Sequence, residues 1–504
     1  MSSPNRTELT IPGQVTSLPL ARSYVQLVFS GAGFTAADAD QAGEVGQAAL
    51  SLVLDRVTGP EPPPIKLTSE TTATAIRLSI HDFGLPFDPV KNLTLTPPRL
   101  GMIEQNPERR QASRLIRQFF DEAQWVNLGP QGMELRLTKR LPARDITQRL
   151  SAAALAPFGD DEPLAPMQRY EIRRLRPEEA MGVAQCIYRT YGYSYPNEDL
   201  YYPDRIVEQN ETGELVSAVA IDEAGDLVGH YALERPGLGP IAESGQAVVV
   251  PAHRGRGLME QMRAFLVEEA RTLSLAGIFG QPVANHTYSQ RVNERFGSRL
   301  CGISLGLAPA TITFKEIDET MRQRVSTMLY FKAITGTPGG TVHVPVHHQE
   351  IVRRIYQELD APVEFGRPMA LFGFGRVDTA FHGGMRRGII SVHSIGADTP
   401  AEIRQAQRVM LETGSAEVIY LELPLSHPST PTLADQAEAA GFFFSAVGPC
   451  FARTGDALRL QYLAVPLDPA QLQIVNPFGS ELRDYITREW ERVRSTPTQN
   501  LSIS

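Results

Sequence analysis

The run Gln246-Ala247-Val248-Val249-Val250-Pro251-Ala252-His253-Arg254-Gly255-Arg256-Gly257-Leu258-Met259 constrains this chain more than any other stretch. Four of its first five residues are apolar and three are β-branched, as a buried strand requires. Pro251 ends the strand. After the turn, Leu258, Met262, Phe265, Leu266, Ala270 and Leu273 recur at helical spacing and form one apolar face. Gly255 and Gly257 therefore stand where strand becomes helix. Glycine there allows a tight turn and lets a ligand reach bare N–H groups. A helix N-terminus carries unpaired donors and the positive end of the macrodipole, so it suits a phosphate, and Arg254 and Arg256 add charge. The spacing fits neither a P-loop nor a dinucleotide fingerprint, because GxxxxGK[ST] and GxGxxG are both absent.

The turn resembles the pyrophosphate-binding motif of the GNAT superfamily of acyl-CoA N-acyltransferases. The family pattern (Gln/Arg)-x-x-Gly-x-(Gly/Ala) reads here Ala252-His253-Arg254-Gly255-Arg256-Gly257, with Ala252 departing at the first position. The surrounding order agrees with the family over residues 169–310. A strand at 170–175 is followed by Arg176-Pro177-Glu178-Glu179 and a helix. Strands at 216–222 and 227–234 are joined by Glu223-Ala224-Gly225-Asp226, and the strand 243–250 leads into the glycine turn. The long helix, a strand at 276–283, a helix from Thr287 and a returning strand to Leu307 complete it.

The resemblance implies acetyl-CoA, or another acyl-CoA, as co-substrate and an amine on a small molecule or protein as acceptor. It implies that the backbone of Val248, Val249 and Val250 meets pantetheine. Arg254, Gly255, Arg256, Gly257 and Leu258 would hold pyrophosphate, and Ser289 would touch CoA. Glu243, eleven residues before Arg254, falls where the family often places its base. The usual tyrosine acid, four residues before Gly297, is replaced by Asn293, which does not readily supply a proton. Tyr188 or Tyr191, or a water, is left to act as the acid. The tyrosine-rich segment 188–202 is expected on the acceptor side.

At 504 residues the chain is too long for one ordinary core. The expected fold class is α/β (α+β) in three domains: a GHKL-like α/β sandwich over 1–141, then two GNAT-like mixed-sheet domains over 169–310 and 311–504, with 142–168 as linker. A net charge of −9 argues against a general nucleic-acid binder. Neither a membrane span nor a signal peptide is read, which predicts the cytoplasm. Cys186, Cys301 and Cys450 form no framework. His343, His347 and His348 are interrupted by Pro345 and joined by no cysteine or carboxylate pattern, so no metal is expected.

In the first 141 residues helices are predicted at 21–29, 36–57 and 110–123, and strands at 73–80 and 133–138. The box Asp82-Phe83-Gly84-Leu85-Pro86-Phe87-Asp88 between them resembles that of the anti-sigma-factor serine kinase branch of the GHKL ATPases. Ala48 stands at that family's magnesium asparagine and offers no oxygen, and the lid is reduced to Leu100-Gly101-Met102, so ATP is a poor fit. A signalling-protein partner is the alternative use of this domain. The strand 418–424, the helix 431–440, Gly441-Phe442-Phe443 and the strand 456–463 resemble the second half of another GNAT domain. No RGxG precedes them, and Phe372-Gly373-Phe374-Gly375-Arg376 is expected on a strand. Two functions follow as expectations: acyl transfer, or acyl-CoA sensing by a regulatory protein. An active serine kinase is the third.

Overall fold

The computed structural model describes residues 5–54, 62–71, 75–83, 111–112, 115–116, 118–127, 132–141, 145–159, 163–195, 197–310, 323–336, 338–382, 385–412 and 416–495. The chain is a mixed α/β (α+β) multidomain protein. Its contacts separate it into two compact units, residues 1–151 with 202–208, and residues 152–201 with 209–504. Among the described residues, no helix is long and apolar enough to cross a membrane.

Among the described residues, the first unit has a five-stranded antiparallel sheet on which two long helices pack. The strands are β1 (Asn5–Ile11), β2 (Ile65–Thr71), β3 (Ala75–Asp82), β4 (Glu122–Asn127) and β5 (Met133–Arg140), in spatial order β1-β2-β3-β5-β4. Helices α1 (Leu18–Gly31) and α2 (Ala36–Leu54) cross closely because Gly46 leaves room. A Cβ there would sit 2.7 Å from Val25 Cγ2. Phe29, buried from α1, gathers Phe34, Phe119 and Phe120 at ring separations of 4.9, 5.8 and 6.0 Å.

The predicted helix at 110–123 stops short of its expected end. The Asp121 carboxylate accepts from the Arg140 N–H at 2.6 Å, and its own N–H donates to the Thr138 carbonyl at 2.9 Å. These bonds draw the chain onto β5, and β4 starts at Glu122, so tertiary pairing overrides local periodicity. Asp82 ends β3 and is buried. Phe83 after it is exposed, and residues 84–88 and 100–102 lie outside the described residues.

The second unit holds one twelve-stranded sheet among the described residues. Its first seven strands are β6 (Glu171–Arg174), β7 (Leu215–Ile221), β8 (Leu227–Glu234), β9 (Ile241–Val249), β10 (Gly277–Gly280), β11 (Arg299–Ala308) and β12 (Val325–Ala333). They stand in the order β6-β7-β8-β9-β10-β12-β11, so β12 inserts between β10 and β11. Helices α3 (Ala180–Tyr191), α5 (Leu258–Thr272) and α6 (Tyr288–Arg295) belong to the same unit, while α4 (Pro203–Thr212) has its residues up to 208 in the first. The buried face of α5, Leu258, Met262, Leu266 and Ala270, packs on Val216, Ala218, Val228 and Leu233. Each buried Leu or Met there is worth about 1.5–3 kcal/mol of transfer free energy.

The chain then makes a short parallel pair, β13 (Gly340–Val342) with β14 (Val363–Phe365), around helix α7 (Gln349–Glu358). Five more strands follow: β15 (Arg376–His382), β16 (Arg387–Ser394), β17 (Val418–Pro424), β18 (Phe443–Ala452) and β19 (Gly455–Leu463). Their order is β15-β16-β17-β19-β18. Helix α8 (Thr399–Glu412) links β16 to β17, α9 (Thr430–Ala439) links β17 to β18, and α10 (Pro477–Ser495) is the last helix among the described residues. The arrangement β16-α8-β17-α9-β18-β19 thus repeats β9-α5-β10-α6-β11-β12, including the late strand inserted beside the third. The two copies meet where β11 pairs antiparallel with β18, at Gly302 opposite Ala446. A Cβ on Gly302 would lie 2.0 Å from Ala446 Cβ, so glycine permits the junction.

The expected strand at 372–376 begins only at Arg376. Residues 371–375 form a loop pressed on Gly396, where a Cβ would come within 2.2 Å of Gly375 N. That backbone crossing occupies the chain and prevents earlier sheet pairing.

Candidate active site

Strands β9 and β10 are parallel neighbours for three residues only, Ile241–Glu243 against Gly277–Phe279. Beyond Glu243 no ladder joins them among the described residues, and a wedge opens in the sheet. On its other side β9 stays paired to β8 as far as Val249, with a register shift between His230 and Ala232. The buried His230 fixes that bulge. Its Nδ1–H donates to the Gln246 carbonyl at 2.9 Å, Ser217 Oγ lies 2.9 Å from Nε2, and Gln246 takes φ +57°. Burial lowers the His230 pKa to about 4, so the imidazole is neutral. The Val250 N–H donates back to the Val228 carbonyl at 2.9 Å, and strand alternation turns the peptide groups of Val249 to the open edge.

The chain leaves the wedge through a single 3-10 turn at Pro251–His253 and enters α5. Gly255 and Gly257 take φ +73° and +69°. No atom lies within 4 Å of a Cβ built on Gly255, and only flexible side-chain ends, at 3.9 Å, approach one on Gly257. The first-turn N–H groups of α5 point into this space. Arg254 is exposed, and its Nε contacts the Val249 carbonyl at 3.4 Å. Arg256 has a different immediate partner: it donates to the Ala165 carbonyl at 2.6 Å, while the Ala165 N–H donates to Ala252 at 2.7 Å. Residues 163–168 therefore lie along the turn.

Glu243 sits at the apex of the wedge and accepts from Gln281 Nε2 at 3.1 Å. Directly across the ladder is Glu234. Burial, then the charge of Glu243, pushes the Glu234 carboxyl up to about 7, and Asn197 Nδ2 donates to it at 3.3 Å. Burial also raises Glu243, while Gln281 and the guanidinium groups of Arg387 and Arg459 pull it down. Tyr195 completes the group. Its Oη accepts from the Gln246 N–H, and burial first, then Glu234, holds the phenol well above its ordinary pKa. A neutral phenol and two carboxylates, one carrying a proton near neutrality, are thus collected at one end of the wedge.

Sequence reading places Glu243 here but misses Glu234 and Gln281, and it does not single out Tyr195. No spacing in the chain announces them, because the β8–β9 register, with its bulge, makes the pair.

Asn293 comes from α6 to the same opening. Its Oδ1 would be 2.9 Å from a Cβ on Gly280, beside Ser244. Both ends of the amide are engaged: Arg263 donates to Oδ1 at 3.2 Å, and Nδ2 donates to the Ser289 carbonyl at 2.9 Å. Arg263 is itself buried, stacked 4.2 Å over Phe296 and bonded to Ser298 Oγ at 3.1 Å. The Ser289 hydroxyl is buried and has no hydrogen-bond partner among the described residues. The second sheet half also reaches the wedge, since Phe451 packs on Phe279 at 4.9 Å and Arg459 lies 4.8 Å over Phe451.

The equivalent turn in the repeat, 395–398, is closed. Asp398 accepts from the Gly375 N–H at 2.7 Å, and Thr399 Oγ1 accepts from the Gly396 N–H at 2.8 Å. A carboxylate and a crossing loop fill the place where the first copy is open.

No family model matches the chain, and no curated protein matches it. Solved structures similar to part of it include three bacterial acetyltransferases. One is an N-acetyltransferase from Staphylococcus aureus (15% identity, 33% of this chain and 99% of that chain, TM-score 0.27). Another is a ribosomal-protein-S5-alanine acetyltransferase from Vibrio fischeri (13% identity, 34% and 97%, TM-score 0.27). The third, from Salmonella typhimurium, was solved with acetyl-CoA (15% identity, 34% and 98%, TM-score 0.28).

Proposed function

We propose that this protein transfers an acyl group from acetyl-CoA, or a related acyl-CoA, to an amine. The reading rests on one observation: the sheet opens at Glu243, and the opening runs to an unfilled helix N-terminus at Gly255–Leu258. An extended pantetheine pairs with the free edge of β9 at Val248–Val250, and its pyrophosphate meets the N–H donors of Gly255, Gly257 and Leu258. Arg254 adds charge. Ser289 and Asn293 flank the thioester end.

The acceptor amine arrives beside Glu234 and Glu243. An ammonium group is bound there by charge, and acyl transfer requires it neutral. Glu243 takes its proton as base, directly or through water. The amine nitrogen attacks the thioester carbonyl, the C–S bond breaks, and the thiolate leaves with a proton from Tyr195 or water.

A second reading uses the same cleft as an acyl-CoA sensor, with the GHKL-like first unit contacting a signalling protein. The engaged Asn293 amide and Ala48 on α2 favour it. A serine kinase is supported less, because Ala48 provides no magnesium ligand.

Calorimetric titration of the intact chain with acetyl-CoA, followed by an amine panel scored by thiol release, separates these. Saturable binding with turnover supports transfer. Binding without turnover favours the sensor, and the absence of binding removes both.

A further inference from the structure

His347, His348, Glu438 and Glu489 are scattered over the sequence but converge in space. The two histidines end the 3-10 turn that starts α7, Glu438 lies on α9, and Glu489 lies on α10. One candidate ligand atom from each falls within 4.8 Å of all the others. His348 Nε2 is 2.7 Å from Glu438 Oε1, and His347 Nε2 is 3.1 Å from Glu438 Oε2. Glu489 Oε2 stands 3.9 Å from a nitrogen of each ring. The side chains of His348, Glu438 and Glu489 are 0%, 5% and 10% exposed, and His347 is 38% exposed, which leaves an entry path.

A hydrogen bond orients the His348 ring. Tyr485 Oη donates to the His347 carbonyl at 3.1 Å and so accepts from His348 Nδ1–H at 2.6 Å. Nδ1 is thereby taken, and Nε2 faces the Glu438 carboxylate oxygen. Such a contact needs a positive charge, either a proton on Nε2 or a cation beside it. Arg492 supplies one in this structure, donating to Glu438 at 2.5 Å and to Glu489 at 2.6 Å from the rim. Its side chain is 42% exposed, and its Nη2 also lies 3.3 Å from His347 Nε2.

We infer that these four residues form a divalent metal site, of the zinc class, that fastens the C-terminal helix to the rest of its unit. Two imidazoles and two carboxylates satisfy zinc's preference for four N and O ligands. Tyr485 provides the outer hydrogen bond that orients a ligating histidine. On metal binding Arg492 turns to solvent, and the ion takes over the neutralisation of Glu438 and Glu489. The site lies on α7, α9 and α10 and is independent of acyl transfer.

The test uses the full chain without a histidine tag, stripped with a chelator and then titrated with zinc, or with cobalt for its visible absorption. The expected result is one metal per chain, the absorption of a four-coordinate cobalt centre, and a rise in melting temperature that the chelator reverses. His347→Ala, at the exposed ligand, should weaken binding at least tenfold without unfolding the protein. Tyr485→Phe should weaken it roughly tenfold, and Arg492→Ala should tighten it. Glu438→Gln should abolish binding, and His347→Ala keeps the test sound if that variant does not fold. Absence of stoichiometric binding by the stripped wild type, or binding unchanged in His347→Ala, overturns the inference.

Discussion

Glu234 and Glu243 are direct partners across the β8–β9 ladder, and both carboxylates are raised by burial at the point where the sheet divides. Like charges facing each other on one sheet surface are unfavourable, and this pair is tolerated because one member holds a proton. The cross-strand pair accordingly titrates as a unit.

The rate of acyl transfer should therefore rise with pH as the pair loses its protons, the last of them near 7, the value to which Glu234 is pushed. The base must be ionised, and a raised carboxyl loses its proton only as pH climbs past that value. Glu243→Gln should lower kcat roughly 100-fold or more while acyl-CoA binding stays unchanged. Glu234→Gln should move the rising limb to lower pH, because Glu243 then ionises without a neighbouring charge. A pH–rate profile of both variants checks this.

Gly255→Asp and Gly257→Asp should each weaken acetyl-CoA binding at least tenfold. Both place a Cβ and a negative charge at the open helix terminus, and the left-handed conformation costs about 1–2 kcal/mol for a non-glycine residue. Gly373→Asp in the repeat has a similar φ of +70° and should leave binding unchanged. Calorimetry of the three variants distinguishes a site effect from a backbone effect.

Acyl-CoA should bind once per chain. The repeat has the same strand–helix turn, but Asp398 and the Gly375 backbone fill it. A stoichiometry of two in the titration would contradict this assignment.

Glu402→Gln should stabilise the protein at pH 8 and have little effect at pH 4. Burial, then Asp398, raises Glu402 to about 7. A carboxyl raised in the folded state contributes most stability below its unfolded pKa and loses it as pH rises through 7. Removing the charge gains on the order of 1 kcal/mol at pH 8, after solvent screening of this partly exposed group is discounted. Thermal melts at the two pH values read the difference.

Gly302→Val should uncouple the two halves of the large sheet, because its side chain would collide with Ala446. Overpacking of this kind costs about 1–3 kcal/mol. A melt of the second unit that is a single transition in the wild type should broaden or split.

The sequence by itself determined the strand, glycine turn and helix at 246–259. Local chemistry suffices there: a β-branched run, a proline stop, two glycines at positive φ and a 3.6-residue apolar period. The same reasoning placed Glu243, the hairpin before it and the late strands of the repeat, whose patterns are equally local. Only the tertiary structure decided what surrounds Glu243, since Glu234, Gln281, Tyr195 and Arg459 arrive from separate elements through strand register and sheet order. It likewise turned 122–127 into strand, inserted β12 between β10 and β11, and drew His347, His348, Glu438 and Glu489 together. Each of these depends on pairing between residues distant in the chain, which periodicity and spacing along one segment do not encode.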